Sequence, residues 1–350
     1  VVLGVMLLGV VYLFKIIPGS FVPAEDQGYL FAAVILPDGA SLDRSQELTQ
    51  RVAEIFAEHP DVEDYSALAG YSLLDSQFKT NSGTVFIALK DFGEREPGSL
   101  RSLFEYVTPK LQGLKEGIAL PINPPAIPGL GTQGGFEFWI QNRGQGGATR
   151  LSEVTQEIIA KANERPEVTR LNTTLNAASR QLRAEVDRSK AETLGISVPD
   201  VYASLQTLFG SLFVSQYNKY GRVWQVILQA QPEYRETPDD IKNIYVRSRS
   251  GEMAPLSAVV DSKYVTGPDL LPRFNGFMAA KVTGDADTGF SSGQSISTME
   301  EVSDEVLPDG FTYAWSGQAF EEKKSSGSSA IIFVFALIMV FLILSAQYEQ

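Results

Sequence analysis

Residues able to do bond-making chemistry are scarce in this sequence. His59 is the single histidine, set in a helix-to-strand turn before Pro60. That position suits a surface cap better than a general base, and a Ser-His-Asp triad would need this histidine plus a nucleophile elbow that the sequence lacks. Gly129-Leu130-Gly131-Thr132-Gln133-Gly134 has the spacing G-x-G-x-x-G. It follows a proline-rich loop (Pro121, Pro124, Pro125, Pro128) and precedes a strand-like run at Phe136, so the helix N-terminus that would hold a phosphate is missing. The stretch reads as a flexible inter-domain linker. Glu25-Asp26 reads as a local turn and anchor instead of an acid/base pair. The absence of Cys excludes disulfides and thiolate metal sites, and the 5 Met are too scattered to form a soft-metal site. No cofactor, metal or catalytic residue is expected.

Side chains that bind by contact are better represented. Leu68, Tyr71, Leu73, Leu74 and Phe78 lie in or beside a loop joining two strand-like runs, and Phe86 faces out of the second run. Large apolar groups in a loop either pack or bind. Phe213, Tyr217 and Tyr220 surround a later hairpin and suggest a docking surface. Local packing is the plain alternative in each case.

Those residues sit between two apolar stretches. Ala330 to Ala346 carries no charge, and Val1 to Ile17 carries only Lys15. At 1.5 Å rise per residue each covers roughly 25 Å, a little short of the ~30 Å hydrocarbon core. The first stretch lacks the basic region and small-x-small site of a signal peptide. Both are therefore expected to be membrane-spanning helices around a long polar excursion. With 29 basic and 42 acidic residues, the chain has a net charge of −13, which opposes nucleic acid as a partner. The absence of mid-membrane ionisable residues places any proton relay outside this chain.

Hydrophobic periodicity gives the order of elements within the excursion. A strand over Tyr29 to Leu36 meets the turn Pro37-Asp38-Gly39, and a helix from Leu42 carries Leu48, Val52, Ile55 and Phe56 on one face. A strand over Val62 to Leu68, a loop and a strand over Thr84 to Leu89 follow. A second helix then bears Leu100, Leu103, Phe104, Val107, Leu111 and Leu114, and Ile118 to Ile122 closes the unit. The order βαββαβ is that of a ferredoxin-like sandwich. A second copy begins at Phe136 to Gln141, with a helix bearing Leu151, Val154, Ile158, Ile159 and Ala162. Its turn at Arg165-Pro166-Glu167-Val168 echoes His59-Pro60-Asp61-Val62. The copy resumes only at Ala279 to Val282, a helix with Met299, Val302 and Val306, and a strand over Phe311 to Trp315. Between its halves lies an insertion containing a helix N-capped by Ser197, with Pro199 and Asp200 in its first turn, ended by Gly210. The insertion also contains a hairpin around Asn218-Lys219-Tyr220-Gly221 and a strand pair joined at Ser250-Gly251. The fold class is α+β.

Phe21-Val22-Pro23-Ala24-Glu25-Asp26-Gln27-Gly28, following an apolar stretch, resembles the signature found after a membrane helix in resistance-nodulation-division (RND) efflux pumps of the hydrophobe/amphiphile branch. Asp187-Arg188-Ser189-Lys190-Ala191, Tyr220-Gly221-Arg222-Val223, Arg273-Phe274-Asn275-Gly276 and Ala346-Gln347-Tyr348-Glu349 also agree, in order. The resemblance implies the end of a seventh membrane helix at 1–17 and an eighth at 326–346. It implies porter subdomain PC1 at 22–129, PC2 at 130–173 and 274–320, and a DC docking insertion at 174–273. It further implies a secondary active transporter, not an enzyme, sited in a bacterial inner membrane with its bulk in the periplasm. Such a protein works as a homotrimer with a periplasmic adaptor and an outer-membrane channel, and exports drugs or other lipophilic compounds by proton antiport. Gly70 to Phe78 would be the loop between two drug pockets. Ser66, Leu68, Tyr71, Leu73, Phe78 and Phe86 then fall at pocket-wall positions, and Leu120 and Ile122 near the access side. Ser66, Tyr71 and Leu73 stand where members with strongly aromatic pockets carry Phe. A basic residue near the pocket entrance in some members is replaced around Asn172. A membrane-anchored periplasmic sensor or assembly domain is the alternative of a different class, and would continue past Gln350 into a signalling coiled coil.

Overall fold

The computed structural model describes residues 9, 22, 25–95, 98–326 and 328–348, with backbone only at 99, 326 and 328–334. Two compact units are present, one comprising 1–179 with 268–350 and the other 180–267.

The first unit opens with β1 (Tyr29–Ile35), α1 (Leu42–Ala57), β2 (Val62–Ser72), β3 (Gln77–Leu89), α2 (Ser99–Gln112) and β4 (Ile118–Ile122). Its antiparallel sheet has the order β2-β3-β1-β4. Alternation along β1 sends Leu30, Ala32 and Val34 to one face, where they meet Val85 and Ile87 of β3. Leu48, Val52 and Phe56 recur at helical spacing along α1 and cover that face together with Leu103, Val107 and Leu111 of α2. The Ser41 hydroxyl caps α1 by accepting from Arg44 N at 3.4 Å.

The pattern recurs with β5 (Phe136–Asn142), α3 (Gly147–Ala162) and β6 (Val168–Thr173), then β14 (Phe277–Ala286), α6 (Ser292–Val306) and β15 (Phe311–Ser316). β14 pairs with β5 and with β6, β5 pairs with β15, and the short β13 (Arg273–Phe274) extends β14. Phe136, Phe138 and Ile140 of β5 are buried against Leu151, Val154 and Ile158 of α3 and Met299 and Val302 of α6. Ser291 and Gln294 form a reciprocal capping box at the start of α6.

The second unit holds β7 (Ser179–Val186), α4 (Arg188–Thr193), α5 (Val198–Leu205), β8 (Leu212–Lys219), β9 (Arg222–Leu228), β10 (Tyr245–Arg247), β11 (Met253–Pro255) and β12 (Val260–Gly267). Its strands pair as β7–β12, β8–β9 and β10–β11; Ala191, Ile196, Val201, Ile241, Val246 and Leu256 form its core, to which the exposed β8–β9 hairpin contributes no residue.

Four local expectations need correction. Gly70 to Phe78 is not an open loop, because β2 and β3 stay paired to Ser72↔Gln77 and leave a turn at 73–76. His59 is buried instead of surface-exposed: its ring packs edge-on against Tyr106 of α2 at 5.3 Å, while Nδ1 accepts from Asp61 N. The Ser197 side chain makes no capping bond; the first turn of α5 closes on its carbonyl instead. The 129–134 loop is held by Leu130 N to Ile127 O, Gly134 N to Asn123 O and Thr132 N to Glu137. In contrast, Asp26 is the expected turn and anchor, accepting from Gly28 N and from Arg95, each at 2.8 Å.

After β15 the chain enters α7 (Gly317–Ser326) and α8 (Ser328–Tyr348). The side chains of α8 are described only from Phe335 onward, a length of roughly 21 Å. Among the described residues no helix is long and apolar enough to cross a membrane, so the two expected flanking spans are not confirmed. The stretch 1–17, apart from Gly9, lies outside the described residues.

Candidate contact site between two sheet faces

With α1 and α2 covering one side of the first sheet, the opposite side is left for other contacts. Register aligns its side chains in two rows across all four strands. One row reads Ser66, Phe86, Phe31, Ile122, and the next Leu68, Thr84, Ala33, Leu120. Five of the residues singled out from the sequence therefore share one face: Ser66, Leu68, Phe86, Leu120 and Ile122. Phe31 and Phe86 meet edge-to-face at 5.4 Å, and Phe86 keeps 37 % of its surface exposed. Tyr71 and Phe78 lie apart from these rows. They face each other at the end of the hairpin, ring centroids 5.4 Å apart, beyond a bulge at Ala69/Tyr71. Leu73 opens the turn, its N–H donating to Thr84 Oγ1 at 3.3 Å.

The turn folds back over this face. Leu74 is buried against Ala33 and Ile122, with Phe31 and Ile35 beside them. Two lysines tether it. Lys79 Nζ lies 2.9 Å from Asp75 Oδ2 and 2.8 Å from Asp269 Oδ2. Burial by itself lowers the Lys79 pKa, but the hydrogen bonds and charges of Asp269 and Asp75 more than reverse this and leave it above the ordinary lysine value. Lys281 Nζ donates to Leu74 O at 2.8 Å and to Thr132 Oγ1 at 3.4 Å.

Lys281 belongs to the helix-free face of the second sheet. Ala280 and Val282 of β14 point into the core, so alternation turns Lys281 the other way. β5 contributes Glu137 and Trp139 to the same face, and β15 contributes Ser316. Trp139 stacks on Phe274 at 4.7 Å, with planes 8° apart, and donates from Nε1 to Ser316 Oγ at 2.9 Å. Glu137 is buried and accepts from Thr132 N at 2.9 Å, Thr132 Oγ1 at 3.0 Å and Ser316 Oγ at 2.7 Å. Burial alone would raise its pKa. The bonds from Thr132 and Ser316 and the charge of Lys281 outweigh that and hold it below the usual glutamate value.

Glu137 therefore gives a testable pH dependence. Its folded-state pKa is depressed, so its stabilisation is complete above the unfolded value near 4.5 and is lost as pH falls through the folded one. Asp285, which burial pushes upward despite Arg170 at 2.9 Å, has the opposite slope. The unfolding free energy of wild type minus that of Glu137→Gln should therefore shrink on acidification below about pH 4.5. A difference that stays constant with pH would show the carboxylate is not stabilised as described.

A separate cavity of about 390 Å³ lies at the N-terminal end of α6, with Phe136, Arg170, Asp285, Phe290 and Glu322 among its lining residues. In the second unit, Phe213 pairs with Ile227 and Tyr217 with Trp224 in an exposed hairpin whose tip is Tyr220-Gly221, both at positive φ. That tip has the geometry of a two-residue turn whose twist suits a hairpin. Phe213, Tyr217 and Tyr220 are all exposed.

Sequence reasoning singled out five side chains of the first sheet's helix-free face and missed the charged groups on the second's. The signal for Lys281 was its alternation with Ala280 and Val282; what lies opposite it was not readable. Near Asn172, where a basic residue was noted as replaced, the sheet does hold a cation. Asn172 registers with Thr283, and Lys281 is two positions along the same strand face.

Two helix-backed sheets thus meet at a turn that is packed on one helix-free face and tethered by a lysine of the other. The sequence profile of the AcrB/AcrD/AcrF family matches residues 1–350, and the chain belongs to that family of RND efflux transporters. It is 32 % identical over 354 residues to the multidrug export protein AcrF of Escherichia coli K12, covering 99 % of this chain and 34 % of that protein. It is 31 % identical to the E. coli K12 multidrug resistance protein MdtF, covering 98 % of this chain and 33 % of MdtF. Against the toluene efflux pump membrane transporter TtgB of Pseudomonas putida, identity is 30 %, over 99 % and 33 % of the two chains. The chain thus spans about a third of the length of these curated relatives.

Proposed function

We propose that this chain is the second periplasmic section of a proton-driven inner-membrane exporter of drugs or other lipophilic and amphiphilic compounds. In this reading 22–129 is PC1, a ferredoxin-like sandwich, and 130–173 with 274–320 is PC2, its interrupted copy. The DC docking insertion occupies 174–273, and 1–17 and 326–346 are membrane helices. The names of the relatives, a multidrug export protein and a toluene efflux pump, support the activity. A homotrimer, a periplasmic adaptor and an outer-membrane channel complete the assembly, with Phe213, Tyr217 and Tyr220 on the docking side. The work is secondary active transport, drug against proton, without cofactor.

One observation carries the substrate reading: the two rows of mostly apolar side chains on the helix-free face of the first sheet, exposed at Leu68 and Phe86. Large apolar walls with few fixed polar partners accept many shapes. Phe86→Ala in the full-length protein should therefore change growth inhibition by some compounds several-fold while leaving others unchanged. A uniform loss across all compounds would show Phe86 to be a packing residue.

A further inference from the structure

The two tethers of the 73–76 turn differ in kind. Lys79 is held by two carboxylates, Asp75 and Asp269. Lys281 is held by two neutral oxygens, the Leu74 carbonyl and the Thr132 hydroxyl. Its charge helps hold the Glu137 carboxyl below the usual glutamate value, but the Glu137 oxygens already accept from Thr132 and Ser316. An ammonium already makes charge-assisted bonds to neutral oxygens, but only a carboxylate or sulfate adds the attraction of an opposite charge. An acidic ligand therefore has something to gain at Lys281 and nothing to gain at Lys79. The Trp139 ring, stacked on Phe274, lies 6.0 Å from the ammonium and supplies apolar surface beside it.

We propose that Lys281 is a subsite for the acidic head of an amphiphile, and that a ligand carboxylate or sulfate bound there takes the ammonium from Leu74 O and frees one side of the 73–76 turn. The proposal rests on the contact-binding reading of these two faces and adds to it a ligand class and a consequence for the turn. Glu137 opposes it electrostatically: its negative charge draws on the same ammonium. Removing that charge should strengthen anion binding, whereas removing Lys281 abolishes it.

The test uses the purified full-length protein with dodecanoate and dodecyltrimethylammonium, two amphiphiles of equal chain length and opposite charge, both below their micellar concentrations. The readout is amide hydrogen exchange at Leu73, Asp75 and Ser76, whose N–H groups are bonded within this turn or to Thr84. In wild type, dodecanoate should speed exchange at these amides at least tenfold, and dodecyltrimethylammonium should not. In Lys281→Met exchange should be fast from the start and insensitive to either probe. Lys281→Arg should restore the dodecanoate response, and Glu137→Gln should produce it at lower dodecanoate concentration. An equal response to both probes, or a dodecanoate response that survives in Lys281→Met, overturns the subsite. Growth protection of pump-deficient cells against dodecyl sulfate separates the two proposals. Wild type should protect, and Lys281→Met should lose at least fourfold of that protection. A normal exchange response without protection leaves the subsite standing and removes the exporter reading.

Discussion

Phe138→Ala should lower the unfolding free energy of the first unit by about 3–5 kcal/mol. Phe138 is fully buried at the centre of the second sheet, stacked on Tyr313 at 5.1 Å and edge-on to Trp315 at 4.8 Å. It registers with Val282 on one neighbouring strand and with Trp315 on the other, so the void would be lined by two strands as well as by α3 and α6. The ring–ring geometry is worth only about 0.5–1.5 kcal/mol per pair. Most of the loss therefore comes from surface returned to water and from the cavity. Chemical unfolding of the full-length protein, followed by tryptophan fluorescence, reads it directly, since Trp315 abuts the deleted ring. Phe213→Ala is the matched control: that ring is exposed, and its loss should fall within about 0.5 kcal/mol of zero. Equal effects at the two positions would mean that the second core is not packed as described.

Legibility in the sequence followed physical range. Elements set by local periodicity were readable, because burial of one face imposes a spacing on the chain itself. α1 begins at Leu42 as expected, β4 runs Ile118–Ile122, and β6 follows the Pro-acid-Val turn. The β2–β3 hairpin was underread because its end departs from period two. Gly70 sits at φ +81 and Ser76 at φ +54, and the bulge at Ala69/Tyr71 breaks the alternation that marks a strand. Alternation also indicated that Phe86 faces outward. Alternation alone does not align Phe86 with Ser66, Phe31 and Ile122; that needs the register of three strand pairs. The charged groups were least readable. Lys281 reaches a carbonyl 207 positions away, and Lys79 reaches Asp269 across the interrupted repeat. His59 fails for the same reason, since Tyr106 buries it from another helix.

Gly135→Ala should be the more damaging of two glycine substitutions that look alike in sequence. Gly135 and Gly39 both sit at positive φ, +86 and +78, and a Cβ at either position carries the left-handed penalty of about 1–2 kcal/mol. At Gly39 that is the whole cost, because a Cβ there meets nothing within 4 Å. At Gly135 the Cβ would lie 2.2 Å from the Gly284 carbonyl oxygen and 2.2 Å from Asp285 Oδ1. The Asp285 side chain can rotate away, at the expense of its ion pair with Arg170. The Gly284 carbonyl cannot rotate: it is β14 backbone, in register with Phe136 next to the substituted residue. Relief therefore requires β5 and β14 to part at this end, adding an overpacking cost of about 1–3 kcal/mol. Gly135→Ala should fall below Gly39→Ala in unfolding free energy by about that margin. Strand parting should also displace Glu137, two residues on, so the acid-dependent stabilisation assigned to it should weaken in Gly135→Ala and persist in Gly39→Ala. Equal costs for the two substitutions would mean that the β5–β14 pairing does not close as tightly at Gly135 as described.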